Sequence, residues 1–262
     1  MTKLQAHRGV STEYPENTMV AYNAAKEQGY AAIELDPKYT ADGVIVLHHD
    51  MSVKRTGRTA DGEQIDVPVS ELTLAQLMEM DFGIFKGEEF KGTKIPTLAE
   101  LLEFAKENPQ IHIKFDNVWE KFPDEIKRSF LSQLAACKGA YLGISCANLD
   151  CIKMAVEMVE GITIHYDDIN IEDERLETLT QICKGHELYI WLLGKTVKPK
   201  WFKGERATLE MCLQAKKYAK LGIWVLATEE ELDVAVNVFG ADLVETNGQL
   251  KPAMVEAISK SK

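Results

Sequence analysis

Two histidines, each followed by a charged residue, bracket a pair of carboxylates near the start of the chain: His7-Arg8, Glu34-Leu35-Asp36 and His49-Asp50. Each motif closes a short apolar run of strand character, so a fold that gathers strand ends would place all three around one pocket. Such a pocket suits phosphodiester cleavage. Two imidazoles offer a proton donor and acceptor near neutral pH, two carboxylates offer hard oxygen ligands for a divalent cation, and a guanidinium offers a fork for phosphate oxygens.

The elements that must position these groups alternate between strand-like runs and helix-period segments, the signature of parallel βα units. Strands are predicted over Leu4–His7, Ala31–Asp36, Ile111–Asp116, Tyr141–Cys146, Ile162–Asp167, Leu188–Leu193, Ile223–Thr228 and Asp242–Thr246. Helices are predicted near 17–28, 98–107, 122–137, 148–159, 172–184, 206–220, 229–239 and 251–260, with Gly29, Gly139, Gly161 and Gly222 as left-handed stops before the next strand. Eight units read as an α/β chain closed into a (β/α)8 TIM barrel. A doubly wound open sheet is the alternative, disfavoured because no GxGxxG loop follows the first strand.

One pair of strands breaks the alternation. Thr40-Ala41-Asp42-Gly43 is a turn signal followed directly by Val44–His49, which predicts a β-hairpin after the second strand with position 36 roughly opposite position 49. Period-two parity sends Gln5 and His7, Glu34 and Asp36, and His112, Lys114 and Asp116 into the barrel, while His48 points away. Two carboxylates on one strand face lie roughly 6.5–7 Å apart at the backbone, near enough to share a cation. The stretch 51–95 is too long for an ordinary connection and reads as a small insertion in a single domain spanning 1–262.

With 262 residues and 45% hydrophobic content, the chain can bury one sizeable core. A net charge of −11 argues against nucleic-acid binding, which draws on clustered Lys and Arg. No apolar run is long enough to span a bilayer and none resembles a signal-peptide core, so no stable membrane insertion and a cytoplasmic address are expected. Cys137, Cys146, Cys151, Cys183 and Cys212 form no zinc-like spacing and read as buried, reduced thiols.

Other residues carry two readings each. Arg8 contacts phosphate or pairs with a carboxylate; Glu16 touches substrate or orients Arg8; Asp50 orients its neighbours; Asn17 reads as the first helix's N-cap. Trp224 faces inward and packs on the substrate's carbons or fills core. His112, His165 and Glu245 are further candidates for the pocket wall, and the loop Lys195–Lys203 is either an anion guide or a solvated basic loop.

His7-Arg8-Gly9, Pro15-Glu16-Asn17-Thr18, Glu34-Leu35-Asp36, Thr40-Ala41-Asp42-Gly43 and His49-Asp50, in this order, resemble the glycerophosphodiester phosphodiesterase family. Ile95-Pro96-Thr97-Leu98 and Gly222-Ile223-Trp224-Val225 extend the resemblance along nearly the whole chain. The resemblance implies a distorted (β/α)8 barrel that hydrolyses glycerophosphodiesters, small-molecule substrates, to an alcohol and glycerol phosphate. It implies a bound Mg²⁺ or Ca²⁺ on Glu34 and Asp36, with His7 and His49 as the catalytic acid–base pair, His7 the favoured base. The third strand departs from the family: where a carboxylate ligand is usual there is Lys114, with Asp116 one layer further on. Either Asp116 supplies the third metal ligand and Lys114 a substrate-binding cation, or the Lys114 ammonium takes the metal's place. The second case gives a metal-independent enzyme or a non-catalytic binder of glycerophosphodiesters. A phosphodiesterase acting on lysophospholipid or teichoic-acid-like substrates is a further alternative.

Overall fold

The computed structural model describes residues 1–194, 199–200 and 202–260. Ten strands form among them: β1 (Lys3–His7), β2 (Ala32–Leu35), β3 (Pro37–Tyr39), β4 (Ile45–Leu47), β5 (His112–Phe115), β6 (Leu142–Cys146), β7 (Thr163–Tyr166), β8 (Leu188–Leu193), β9 (Lys220–Leu226) and β10 (Leu243–Thr246). The helices are α1 (Met19–Glu27), α2 (Leu74–Glu79), α3 (Leu98–Glu107), α4 (Asp124–Ala136), α5 (Leu149–Met158), α6 (Asp173–Ile182), α7 (Leu209–Lys216), α8 (Glu229–Asp233) and α9 (Pro252–Lys260). None of these helices is long and apolar enough to cross a membrane.

Eight strands pair in parallel, in the order β1-β10-β9-β8-β7-β6-β5-β2, and β2 returns to β1 to close a barrel. Closure follows from the pattern of each strand. Ile33, Leu35, Ile113, Phe115, Ile144 and Ile164 turn outward into one large apolar cluster shared with the helices, and alternate residues turn inward. Helix starts are fixed locally: Thr97 and Thr228 accept from Glu100 N and Glu231 N, and each glutamate answers with a reciprocal capping-box bond. Such caps contribute about 1 kcal/mol each.

Two sequence expectations shift. Gly29, Gly139 and Gly161 lie in the left-handed region past helix ends, but Gly222 does not. It sits inside β9, which starts at Lys220, so the helix expected to run to 220 stops at Lys216. A Cβ at Gly222 would come within 2.4 Å of the Trp191 ring, so this glycine makes room for an aromatic plate inside the barrel. The hairpin β3–β4 forms around Gly43, yet Pro37 pairs with Leu47, placing Asp36 opposite His48 rather than His49. Its ladder ends there, and the chain bends at 48–50, with His48 Nδ1 bound to Asp50 O at 2.9 Å. That bend, not strand parity, turns His49 toward the barrel mouth. In the expected insertion, 51–95, α2 and two short 3-10 turns surround a separate apolar cluster of Val46, Val53, Val69, Leu72, Leu77, Met80, Phe82 and Ile95.

Deep in the barrel, Trp191 Nε1–H donates to His165 Nδ1 at 2.8 Å, so His165 carries its hydrogen on Nε2 and donates to His112 Nε2 at 3.3 Å. His112 stacks on Tyr141 with centroids 3.9 Å apart. Gly143 leaves the space both imidazoles occupy. Burial pushes His112 down to about 3 and His165 well below its ordinary value, so both stay neutral in the fold. The sign follows: below the unfolded value of about 6.5 the unfolded chain gains protons the fold refuses, and stability falls with pH down to about 3. Replacing His112 by Phe removes one such proton. The variant is expected to lose less stability than the parent between pH 7 and pH 5, by on the order of 1 kcal/mol, read from denaturant midpoints at each pH. An equal loss in both proteins would contradict this.

Candidate active site

The C-terminal strand ends open into a cavity of about 560 Å³ lined by His7, Arg8, Glu34, Asp36, His49, Lys114, Asp116, Asn117, Asp167, Pro199, Phe202, Trp224, Val225 and Glu245. Thus β1, β2, the post-hairpin bend, β5, β9 and β10 bring His7, Arg8, Glu34, Asp36, His49, Lys114, Asp116, Trp224 and Glu245 to one space. His112 and His165 lie deeper and do not line it; their strand parity is inward, but they sit a layer below the mouth. Only the described part of the loop Lys195–Lys203 can be placed, since 195–198 and 201 lie outside the described residues.

Each candidate histidine is held by one ring nitrogen. His7 Nδ1 donates to Asn247 Oδ1 at 2.5 Å, and its Nε2 lies 3.8 Å from Glu34 Oε2. His49 Nδ1 donates to Asp50 Oδ1 at 2.6 Å. In both rings the second nitrogen, Nε2, is left for proton exchange.

The carboxylates divide by partner. Asp36 is buried, which opposes ionisation, but Arg8, His49 and Lys38 outweigh this and hold it below the ordinary range. Its Oδ2 accepts from Asn17 Nδ2 at 2.7 Å, and Arg8 Nε stands 3.5 Å away. Burial drives Glu34 well above the usual value, and repulsion from Asp36, Glu245 and Asp116 adds to it. Asp116 is raised for the same two reasons, burial first and then Asp36. Burial also lifts Asp167 to about 7. No Lys or Arg side chain among the described residues forms an ion pair with Glu34 or Asp116.

Lys114 lies beside Glu34 in the β2–β5 register, yet its ammonium turns elsewhere. Nζ stands 3.4 Å from Glu245 Oε2 and 3.8 Å from the centroid of the Trp191 ring. Glu245 also accepts from Gln5 Nε2 at 2.6 Å. Burial opposes charge on Lys114, but Glu245 and Glu34 keep it protonated. The ammonium is therefore drawn to the β10 side of the barrel.

Glu16 and Asn17 each take a defined place. Glu16 is not among the residues lining the 560 Å³ cavity: Arg8 Nη1 donates to Oε1 at 3.1 Å, and Arg55 spans Oε1 and Oε2 at 2.7 Å each, the arrangement the orienting reading describes. Thr18, not Asn17, caps α1, because Asn17 adopts φ +53° and is buried against the acidic pair. Its Oδ1 accepts from Asp36 N and Tyr22 Oη, and its Nδ2 donates to Asp36, so one amide fixes the carboxylate's position. No local pattern marks Arg55, which lies in the aperiodic insertion. Nothing local to Asn247 marks its bond to His7, 240 residues away in the chain.

The sequence model of the glycerophosphoryl diester phosphodiesterase family matches residues 7–166, which carry both histidine motifs, the carboxylate pair and β5. The chain belongs to this family. Among curated members, a glycerophosphodiester phosphodiesterase of Caldanaerobacter subterraneus subsp. tengcongensis is 44% identical over 39% of this chain and 40% of its own length. One of Bacillus altitudinis is 34% identical over 47% of this chain and 49% of its own. The chain thus spans less than half the length of these relatives. Among solved structures, an Oleispira antarctica phosphodiesterase in complex with the product sn-glycerol-3-phosphate has the same fold, with TM-score 0.75, 22% identity and coverage of 99% of this chain and 97% of that one. Lys114, on β5, lines the same cavity as Glu34, Asp36 and Asp116.

Proposed function

We propose that this protein hydrolyses glycerophosphodiesters to an alcohol and glycerol phosphate in the cavity at the barrel mouth. The observation that carries the proposal is that His7 and His49 line one cavity, each with Nδ1 bound to a fixed acceptor, alongside Arg8 and five carboxylates. A neutral His7, hydrogen-bonded through Nδ1, presents the Nε2 lone pair and serves as base toward a hydroxyl or water nucleophile. His49, with Asp50 on Nδ1, is suited to carry both hydrogens and to give one from Nε2 to the leaving alkoxide. Arg8, fixed by Glu16, directs its guanidinium to the equatorial phosphate oxygens. Trp224 offers an apolar face to the substrate's carbons.

The donor set fits a hard divalent cation: Glu34, Asp36 and Asp116 are oxygen ligands that repel one another and, for Glu34 and Asp116, have no Lys or Arg ion-pair partner among the described residues. They are not gathered into a ready-made cluster of three or more metal-binding side chains there. Mg²⁺ or Ca²⁺ held by these residues would supply Lewis-acid polarisation of the phosphate. Lys114, drawn to Glu245, then serves as a substrate-side cation. Five unpaired, buried cysteines suit a reducing, cytoplasmic setting.

The charged groups lining the cavity, Arg8, Lys114 and the carboxylates, favour a water-soluble diester. Turnover of glycerophosphocholine is expected to exceed that of micellar lysophosphatidylcholine, with released choline as the readout; the reverse preference would move the assignment to lysophospholipid.

A further inference from the structure

Arg55, at the start of the 51–95 segment, touches both carboxylates that hold the proposed machinery. Its Nε donates to Asp50 Oδ2 at 2.6 Å and its Nη2 to Asp50 Oδ1 at 3.2 Å, while Nη1 and Nη2 grip Glu16 at 2.7 Å each. Asp50 holds His49, and Glu16 holds Arg8, which reaches Asp36. Side-chain contacts therefore run without a break from Asp36 through Arg8, Glu16, Arg55 and Asp50 to His49. Burial opposes ionisation of Asp50 and Glu16, but the guanidinium contacts keep both below the ordinary carboxylate range.

We infer that Arg55 is a positioning residue that sets His49 and Arg8 together, so that the proton donor and the phosphate fork are oriented by one side chain outside the barrel. This rests on the roles proposed above for His49 and Arg8. The physical case is the fork itself: five N–H donors in a rigid plane can satisfy two carboxylates at once, and an ammonium cannot do so in the same geometry. Without Arg55, Asp50 is free to leave His49 Nδ1, and Glu16 and Arg8 keep a single mutual bond of 3.1 Å. Ordinary surface ion pairs contribute little to stability, and Arg55 is 44% exposed, so its loss should be felt in geometry rather than in folding.

The test compares Arg55→Gln and Arg55→Lys with the parent protein. For glycerophosphocholine hydrolysis, Arg55→Gln is expected to lower kcat through His49 and raise KM through Arg8, with kcat/KM down by up to about 100-fold at little change in melting temperature. Double-variant cycles should be non-additive with Asp50→Asn in kcat and with Glu16→Gln in KM. Arg55→Lys should recover one of the two effects and not both. Nitrogen NMR of His49 gives a readout independent of turnover: neutral His49 carries its hydrogen on Nδ1 in the parent, and in Arg55→Gln the population moves toward the Nε2–H tautomer. Parent-like kcat, KM and tautomer in Arg55→Gln would overturn the inference. An inactive parent would overturn the hydrolase reading instead, and the tautomer comparison would still decide the role of Arg55.

Discussion

Replacing His7 or His49 by Ala is expected to lower turnover of glycerophosphocholine by about 10²–10⁴-fold each, with the fold intact. Both rings are half-buried at the cavity rim and each is tied through a single bond to Asn247 or Asp50, so neither supports the core. The two variants should separate when the leaving group changes. A substrate whose leaving group is p-nitrophenol departs as a stable anion and needs no proton, so activity returns to His49→Ala and not to His7→Ala. Recovery in His7→Ala alone would exchange the acid and base roles. Near-normal turnover in both variants on the choline ester would exclude them as the acid–base pair.

Removal of divalent metal is the second large effect. With Glu34 and Asp116 pushed up by burial and by Asp36, and with Lys114 held on Glu245, the metal-free cavity places neighbouring carboxylates where a phosphodiester anion must bind. Chelation followed by gel filtration is expected to reduce kcat/KM by at least about 100-fold, and Mg²⁺ or Ca²⁺ should restore it, because Lewis-acid charge stabilisation is worth several kcal/mol. Full activity in protein shown by elemental analysis to be metal-free would favour the metal-independent reading, with Lys114 as the cationic element.

Much of the barrel was legible because strand parity and helix period leave repeating marks. The alternation in Ile33-Glu34-Leu35-Asp36 identifies which pair faces inward, and each of the eight barrel strands overlaps an apolar run of the sequence. What failed depends on contacts between distant residues. Gly222 looked like a helix stop because its role, making room for Trp191 from the neighbouring strand, has no local signature. Asn17 followed the N-cap rule until its left-handed backbone and its bonds to Asp36 are seen. His49 was placed at the right cavity by a register one residue out, since the local bend closed by His48 and Asp50 compensates. Arg55 shows the same limit: an exposed arginine in an aperiodic segment gains meaning only from Glu16 and Asp50, which the fold brings to it.

The central claim is that this cavity breaks a phosphodiester bond rather than only binding one. Phosphorus NMR of glycerophosphocholine incubated with the Mg²⁺-supplemented protein tests it most directly. The account predicts that the diester resonance is replaced, one for one, by glycerol 3-phosphate, at a rate proportional to protein and lost in the His7→Ala, His49→Ala double variant. A diester signal that broadens on binding yet never yields the monoester would contradict it and identify a non-catalytic binder.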